Sequence, residues 1–106
     1  MENIELLHLV DNLLKENFAD RINTIILFGS RVDGTAHEYS DYDLLIVTNE
    51  SVDWETEDTI RELLYTINIQ HDVVLSIQFI SENELSTIKG KQPFIQRAIE
   101  TGISLR

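Results

Sequence analysis

Two short apolar runs, Ile22–Phe28 and Asp43–Val47, flank a polar stretch that opens with Gly29-Ser30 and closes with Asp41-Tyr42-Asp43. Both runs are rich in β-branched and large apolar side chains, the composition of buried strands. The short link between them favours an antiparallel pair. Whatever else the chain does, it must cover this strand–loop–strand unit with its remaining segments.

Those segments have helical and strand signatures of their own. From Asn3 to Asp20, Ile4, Leu6, Leu7, Leu9, Val10, Leu13, Leu14 and Phe18 recur at helical spacing and form a broad apolar stripe, which predicts a helix lying against the sheet. Asp53 can cap a second helix running to about Ile69, its inner face formed by Trp54, Ile60, Leu63, Leu64 and Ile67. Asp72 to Ile80 reads as a third strand, and the helix before it favours a parallel crossover. Ser81 and Glu84 have the spacing of a capping box for a short helix. Pro93 opens a last helix, Phe94 to Thr101, which Gly102 stops, and Ile103 to Leu105 adds a short final strand. The order α-β-β-α-β-α-α-(β) predicts an α/β (α+β) fold, a small mixed sheet with helices packed mainly on one face.

A chain of 106 residues, 42% of them apolar, is read as one domain spanning residues 1–106. With no cysteine, disulfides, thiolate metal sites and a cysteine nucleophile are excluded. The apolar runs are too short to cross a bilayer. The N-terminal stretch carries acids where a signal peptide would carry bases, so a cytoplasmic location is expected. The net charge of −11 repels phosphate backbones, so no direct nucleic-acid partner is expected. Such a surface suits divalent cations or a basic protein partner, or serves solubility alone.

In the expected topology, polar residues from three segments converge at one sheet edge. Side chains alternate along a strand, so Asp41 and Asp43 project the same way, about 7 Å apart. Two carboxylates at that separation can share a pair of cations about 4 Å apart, the arrangement of two-metal phosphoryl transfer. Mg²⁺ is the expected ion, because it takes oxygen ligands and keeps substrate phosphates in its shell. Gly29 lets a phosphate approach the backbone, and the Ser30 hydroxyl can donate to a phosphate oxygen. Arg31 is placed to touch a triphosphate or to sit at the surface. Asp72, at the start of the third strand, reads as a third carboxylate ligand or as a solvated strand start. Ser76 faces the same side as Asp72.

The stretch FGSRVDGTAHEYSDYDLLIV (Phe28 to Val47) resembles the GSxxxG…SDxD signature of the polymerase-β-like nucleotidyltransferases, and within them the minimal nucleotidyltransferases of prokaryotes. HDVVLSIQFIS and PFIQRAIETGISL are similar to members of the same group, so the resemblance covers nearly the whole chain. It implies a polymerase-β-like core, with Gly29 and Ser30 as the nucleotide-binding pair, Asp41 and Asp43 as metal ligands, and the third acid within the third strand, at Asp72 or, if the position is that of Ser76, lost from this chain. It further implies transfer of a nucleoside monophosphate, AMP from ATP in some members, to a tyrosine of a HEPN toxin for which the minimal nucleotidyltransferase is the antitoxin. The rival expectation is a catalytically inactive acidic module that neutralises a basic partner protein. The acceptor, the nucleobase preference and self-association into a homo-oligomer stay open.

Overall fold

The computed structural model describes residues 1–37 and 40–105, so Glu38 and Tyr39 of the polar loop lie outside the described residues. The first helix, α1 (Asn3–Phe18), ends in a 3-10 turn at Ala19–Arg21 and leads into β1 (Ile22–Phe28). A single helical turn, α2 (Ser30–Asp33), precedes β2 (Tyr42–Thr48), and α3 (Trp54–His71) connects β2 to β3 (Leu75–Ser81). Two further 3-10 turns lead to α4 (Pro93–Thr101) and β4 (Ile103–Ser104).

The strands form one sheet in the order β3-β2-β1-β4. β1 runs antiparallel to β2, with Phe28 opposite Asp43 and Ile26 opposite Leu45. β3 runs parallel to β2, with Asp43 beside Ser76 and Ile46 beside Phe79. Both orientations follow from the connections: a loop joins the antiparallel pair, and α3 provides the crossover between the parallel pair.

Strand alternation divides the core into two. Ile25, Leu27, Tyr42, Leu44, Ile46 and Phe79 pack with Leu6, Leu7, Val10 and Leu14 of α1 and Ile60, Leu64 and Ile67 of α3. On the opposite face, Phe28, Leu45, Val47 and Ile80 meet Ile95 and Ala98 of α4. Burial of each such side chain contributes roughly 1.5–3 kcal/mol against the entropy of ordering the chain. The sheet is therefore covered by two long helices on one side and one short helix on the other.

The boundaries of α3 carry two corrections to the sequence reading. Asp53 caps the helix as expected, accepting a hydrogen bond from the Thr56 N–H at 2.8 Å. Trp54, however, is 71% exposed and does not join the inner face. At the other end, Asp72 does not open the third strand. It is the C-cap of α3, in the left-handed region at φ 52°, ψ 50°, and its N–H bonds to the carbonyl of Asn68. The strand begins three residues later, at Leu75. Ser81 and Glu84 do form the reciprocal box: the Ser81 N–H donates to Glu84 Oε1 at 3.0 Å and the Glu84 N–H to Ser81 Oγ at 3.3 Å.

Candidate active site

Tyr42 sets the geometry of the two aspartates. Its side chain is buried on the α1/α3 side of the sheet, with its hydroxyl donating to the Met1 carbonyl at 3.0 Å. Alternation then turns Asp41 and Asp43 to the opposite face. Asp41 is exposed just ahead of β2, and Asp43 is half-buried on the strand itself. The Asp43 carboxyl is pushed above its usual range, first by burial and then by the negative charge of Asp41. Two like charges held this way favour a cation between them.

Gly29 closes the other side. It follows β1 with φ 80° and ψ −154°, a conformation essentially confined to glycine. A Cβ there would overlap Asp43 Oδ2 and come within 3.2 Å of Asp43 Cγ. Glycine is thus required twice, by the backbone angles and by the close approach of the carboxylate. The Gly29 carbonyl accepts from the N–H groups of Val32 and Asp33, both at 3.0 Å, which shapes the turn of α2. Gly34, at φ 86°, ends that turn in the left-handed region.

Gly29, Ser30 and Asp43 line one cleft of about 440 Å³ together with Ser76 and Gln78 of β3 and Phe94 and Arg97 of α4. Ser76 enters because it is the parallel neighbour of Asp43, and Gln78 because it lies two residues further along the same face. Asp33 and Thr35 form the cleft's rim. The Asp33 carboxyl is held below its usual pKa by the Thr35 hydroxyl and backbone N–H, with a smaller contribution from the charge of Arg97.

Three of the expected site residues are not in this lining: Asp41, which is exposed just ahead of β2 and near enough for its charge to act on Asp43, and Asp72 and Arg31, which lie elsewhere. Asp72 and Arg31 line a separate cleft of about 450 Å³ with Met1, Ser40, Tyr42 and His71. Asp72 is displaced because α3 continues past the expected strand start, so Ser76 rather than Asp72 stands beside Asp43. The Arg31 guanidinium donates to the Ser40 carbonyl, at 3.2 Å from Nε and 2.7 Å from Nη2, and stacks over the Tyr42 ring at 4.2 Å. That brace holds the backbone directly before Asp41, while Ser40 Oγ accepts from the His37 N–H at 3.0 Å. Among the described residues, no group of three or more His, Asp or Glu side chains is placed to share a metal ion. Gln78, Phe94 and Arg97 were missed by sequence reasoning. The one signal available for the last two was their i, i+3 spacing on the helix whose Ile95 and Ala98 are apolar.

With this geometry in view, comparison with known proteins defines the class. The polymerase beta, nucleotidyltransferase family model matches residues 10–105, and the chain belongs to that family. A protein of Methanocaldococcus jannaschii named as a protein adenylyltransferase is 32% identical over 91 residues, covering 86% of this chain and 85% of that protein. A Haemophilus influenzae protein of the same designation is 40% identical over 58 residues, 55% of this chain and 49% of the relative. A further Methanocaldococcus jannaschii relative is 58% identical over 33 residues, so the match spans 22% of its length. Among solved structures, a toxin–antitoxin complex with AMP-PNP has a chain that matches with a TM-score of 0.64 at 23% identity, over 98% of this chain and 73% of that one. A complex of tri-AMPylated Shewanella oneidensis HEPN toxin with its MNT antitoxin matches with a TM-score of 0.59 at 20% identity, over 100% and 72% of the two chains. At these identities the structural likeness speaks for the fold.

Proposed function

We propose that the chain transfers AMP from Mg²⁺-bound ATP to a hydroxyl on a partner protein, and that a HEPN-type toxin is the partner it neutralises. The observation that carries this reading is the packing of Gly29 against the Asp43 carboxylate at the mouth of the cleft. It sets a close backbone approach for phosphate beside the acidic pair.

The residues fit Mg²⁺. Asp41 and Asp43 supply hard oxygen donors, and a cation would offset the burial of the Asp43 carboxyl and the repulsion from Asp41, which together raise its pKa. Bound there, the ion would neutralise phosphate charge and favour ionisation of the attacking hydroxyl. Gly29 admits the triphosphate to the backbone and Ser30 can donate its hydroxyl to a phosphate oxygen. Ser76 occupies the place beside Asp43 where a third carboxylate would stand. It offers a neutral hydroxyl, so Asp41 and Asp43 would be the two acids that hold the ion. Arg31 acts by bracing the Asp41 backbone. The named activities of the Methanocaldococcus and Haemophilus relatives and the toxin–antitoxin context of the solved structures support the choice of AMP and of a protein acceptor. No described helix is long and apolar enough to cross a membrane.

A two-acid site also favours a second reading, in which the acidic domain binds and neutralises a basic partner without turnover. Calorimetric titration of ATP with and without Mg²⁺, on wild type, Asp41→Asn and Asp43→Asn, separates the two. Mass spectrometry of the co-expressed partner then reads transfer. Metal-dependent binding lost in both variants, with an AMP adduct only on the partner of the wild type, is expected. Absence of ATP binding, with the partner still neutralised, would move the assignment to the second reading.

A further inference from the structure

We infer that Arg97 of α4 contacts the non-transferred phosphates of the nucleotide, supplying the cationic group that Arg31 does not bring to the cleft. This inference rests on the proposed transferase reading and deepens it. A chain with net charge −11 that binds a polyanion needs positive charge close to the phosphates. Among the described residues lining the cleft, Arg97 is the one basic side chain. Arg31, nearer in sequence to Gly29 and Ser30, is committed to the Ser40 carbonyl and the Tyr42 ring and lines the other cleft.

The position of Arg97 follows from the helix. Ile95 and Ala98 are buried against Phe28, Leu45, Val47 and Ile80, which fixes the rotation of α4 on the sheet. Phe94 and Arg97, one turn apart, then flank the buried stripe on the side that opens to Gly29, Ser30 and Asp43. Arg97 is exposed, so its side chain carries little of the fold, and its planar fork suits paired phosphate oxygens. The Gly29-Ser30 turn and Asp33 lie on the same side of the cleft, and the charge of Arg97 is felt at the Asp33 carboxylate. When phosphate enters beside Gly29, it can take over from Asp33 as the charge partner of Arg97. The leaving pyrophosphate gains negative charge as its bond to the transferred AMP breaks, so a cation on that portion favours the reaction.

The test is calorimetric titration of AMP-PNP, inorganic pyrophosphate and AMP, all with Mg²⁺, on wild type, Arg97→Ala and Arg97→Lys. Loss of a charged hydrogen-bonding partner should weaken AMP-PNP and pyrophosphate on the order of 10- to 100-fold in Arg97→Ala. AMP should stay within about twofold, and Arg97→Lys should recover part of the loss because the charge is kept and the fork is not. AMP-PNP binding in Arg97→Ala within twofold of wild type would overturn the inference, as would an equal loss for AMP. Failure of wild type to bind AMP-PNP at all would instead overturn the transferase reading beneath it.

Discussion

Replacing Gly29 with alanine tests the close approach on which the site is built. At φ 80°, ψ −154° an L-residue is strained by about 1–3 kcal/mol. The stiffer unfolded chain returns about 0.4–1 kcal/mol of that. The new methyl would also overlap Asp43 Oδ2, while Asp43 Cβ, at 3.4 Å from it, needs no shift. The carboxylate is the free end of a side chain and can rotate away, so relieving the overlap adds little to the stability cost. The net expectation is a loss of about 1–2 kcal/mol, a fall of roughly 5–10 °C in Tm for a domain of this size. Function should suffer more than stability, because the rotated Asp43 carboxylate would leave the place beside Gly29 on which the proposed Mg²⁺ site depends. Mg²⁺-dependent ATP binding should drop by about tenfold or more at temperatures where the variant is fully folded. Urea unfolding followed by circular dichroism, beside calorimetric titration, reads both quantities. A Gly29→Ala protein with wild-type stability and wild-type affinity would refute the argument from backbone angle and carboxylate contact together.

Other perturbations read other parts of the molecule. The Asp43 carboxyl binds its proton more tightly in the folded chain than in the unfolded one, so its ionisation destabilises the metal-free fold as pH rises through its raised pKa. Asp43→Asn should therefore leave metal-free protein at least as stable as wild type at pH 7, and should steepen the acid limb in urea titrations, because wild type regains stability as Asp43 takes up its proton on acidification, while abolishing Mg²⁺-dependent binding. Lower stability of Asp43→Asn at pH 7 would contradict the assigned cost of burying the Asp43 charge beside Asp41. Glu84 has the opposite sign: the Ser81 N–H, with help from Lys89 and the Ser81 hydroxyl, holds its pKa at about 2 against an ordinary 4.5. Its contribution is complete above the unfolded value and is lost as pH falls from there toward 2. Glu84→Gln should cost about 1 kcal/mol at pH 7, a figure set by capping energetics and discounted for exposure, and should match wild type near the acid end of the titration. Leu64 is fully buried between α3 and the sheet, and Leu64→Ala should lower the unfolding free energy by about 2–5 kcal/mol in the same denaturation assay.

Much of the frame was legible because local signals agreed with each other. The β-branched run Ile22–Phe28, the alternation around Asp43 and the stripe of α1 each pointed to the element found, and the strand orientations followed from the lengths of the connections. Asp72 was misread because Asp72-Val73-Val74 continues smoothly into an apolar run, and periodicity alone cannot say where a helix releases the chain. Its left-handed cap, usually the place of glycine or asparagine, left no mark in the composition. Trp54 was misread because a large apolar residue in a first turn invites burial, whereas the buried stripe begins only at Ile60. Arg31 stood next to the glycine–serine pair in sequence, yet its guanidinium turned to the opposite face. Arg97 lies far down the chain from Asp43 and reaches the cleft only through tertiary packing, which no local spacing announces.

The unequal cover of the two sheet faces explains why the site lies where it does. α1 and α3 have 16 and 18 residues, about 24 and 27 Å at 1.5 Å per residue, enough to span seven-residue strands of roughly 23 Å. α4 has nine residues, about 14 Å, and its apolar contacts are with Phe28, Leu45, Val47 and Ile80. The beginnings of β2 and β3 on that face are left without a helix over them, and there the sequence changes from apolar to polar: Asp43, Ser76 and Gln78. A leucine at position 43 would meet Phe28 across the strands but stay partly open to water, whereas an aspartate reaches solvent, its carboxyl pushed above its usual range by burial and by the charge of Asp41. The short helix also ends its apolar stripe within reach of this opening, so Phe94 and Arg97 can border the cleft without unburying Ile95 or Ala98. Lengthening α4 over the sheet would add core and close the cleft, which sets stability against access at this one edge.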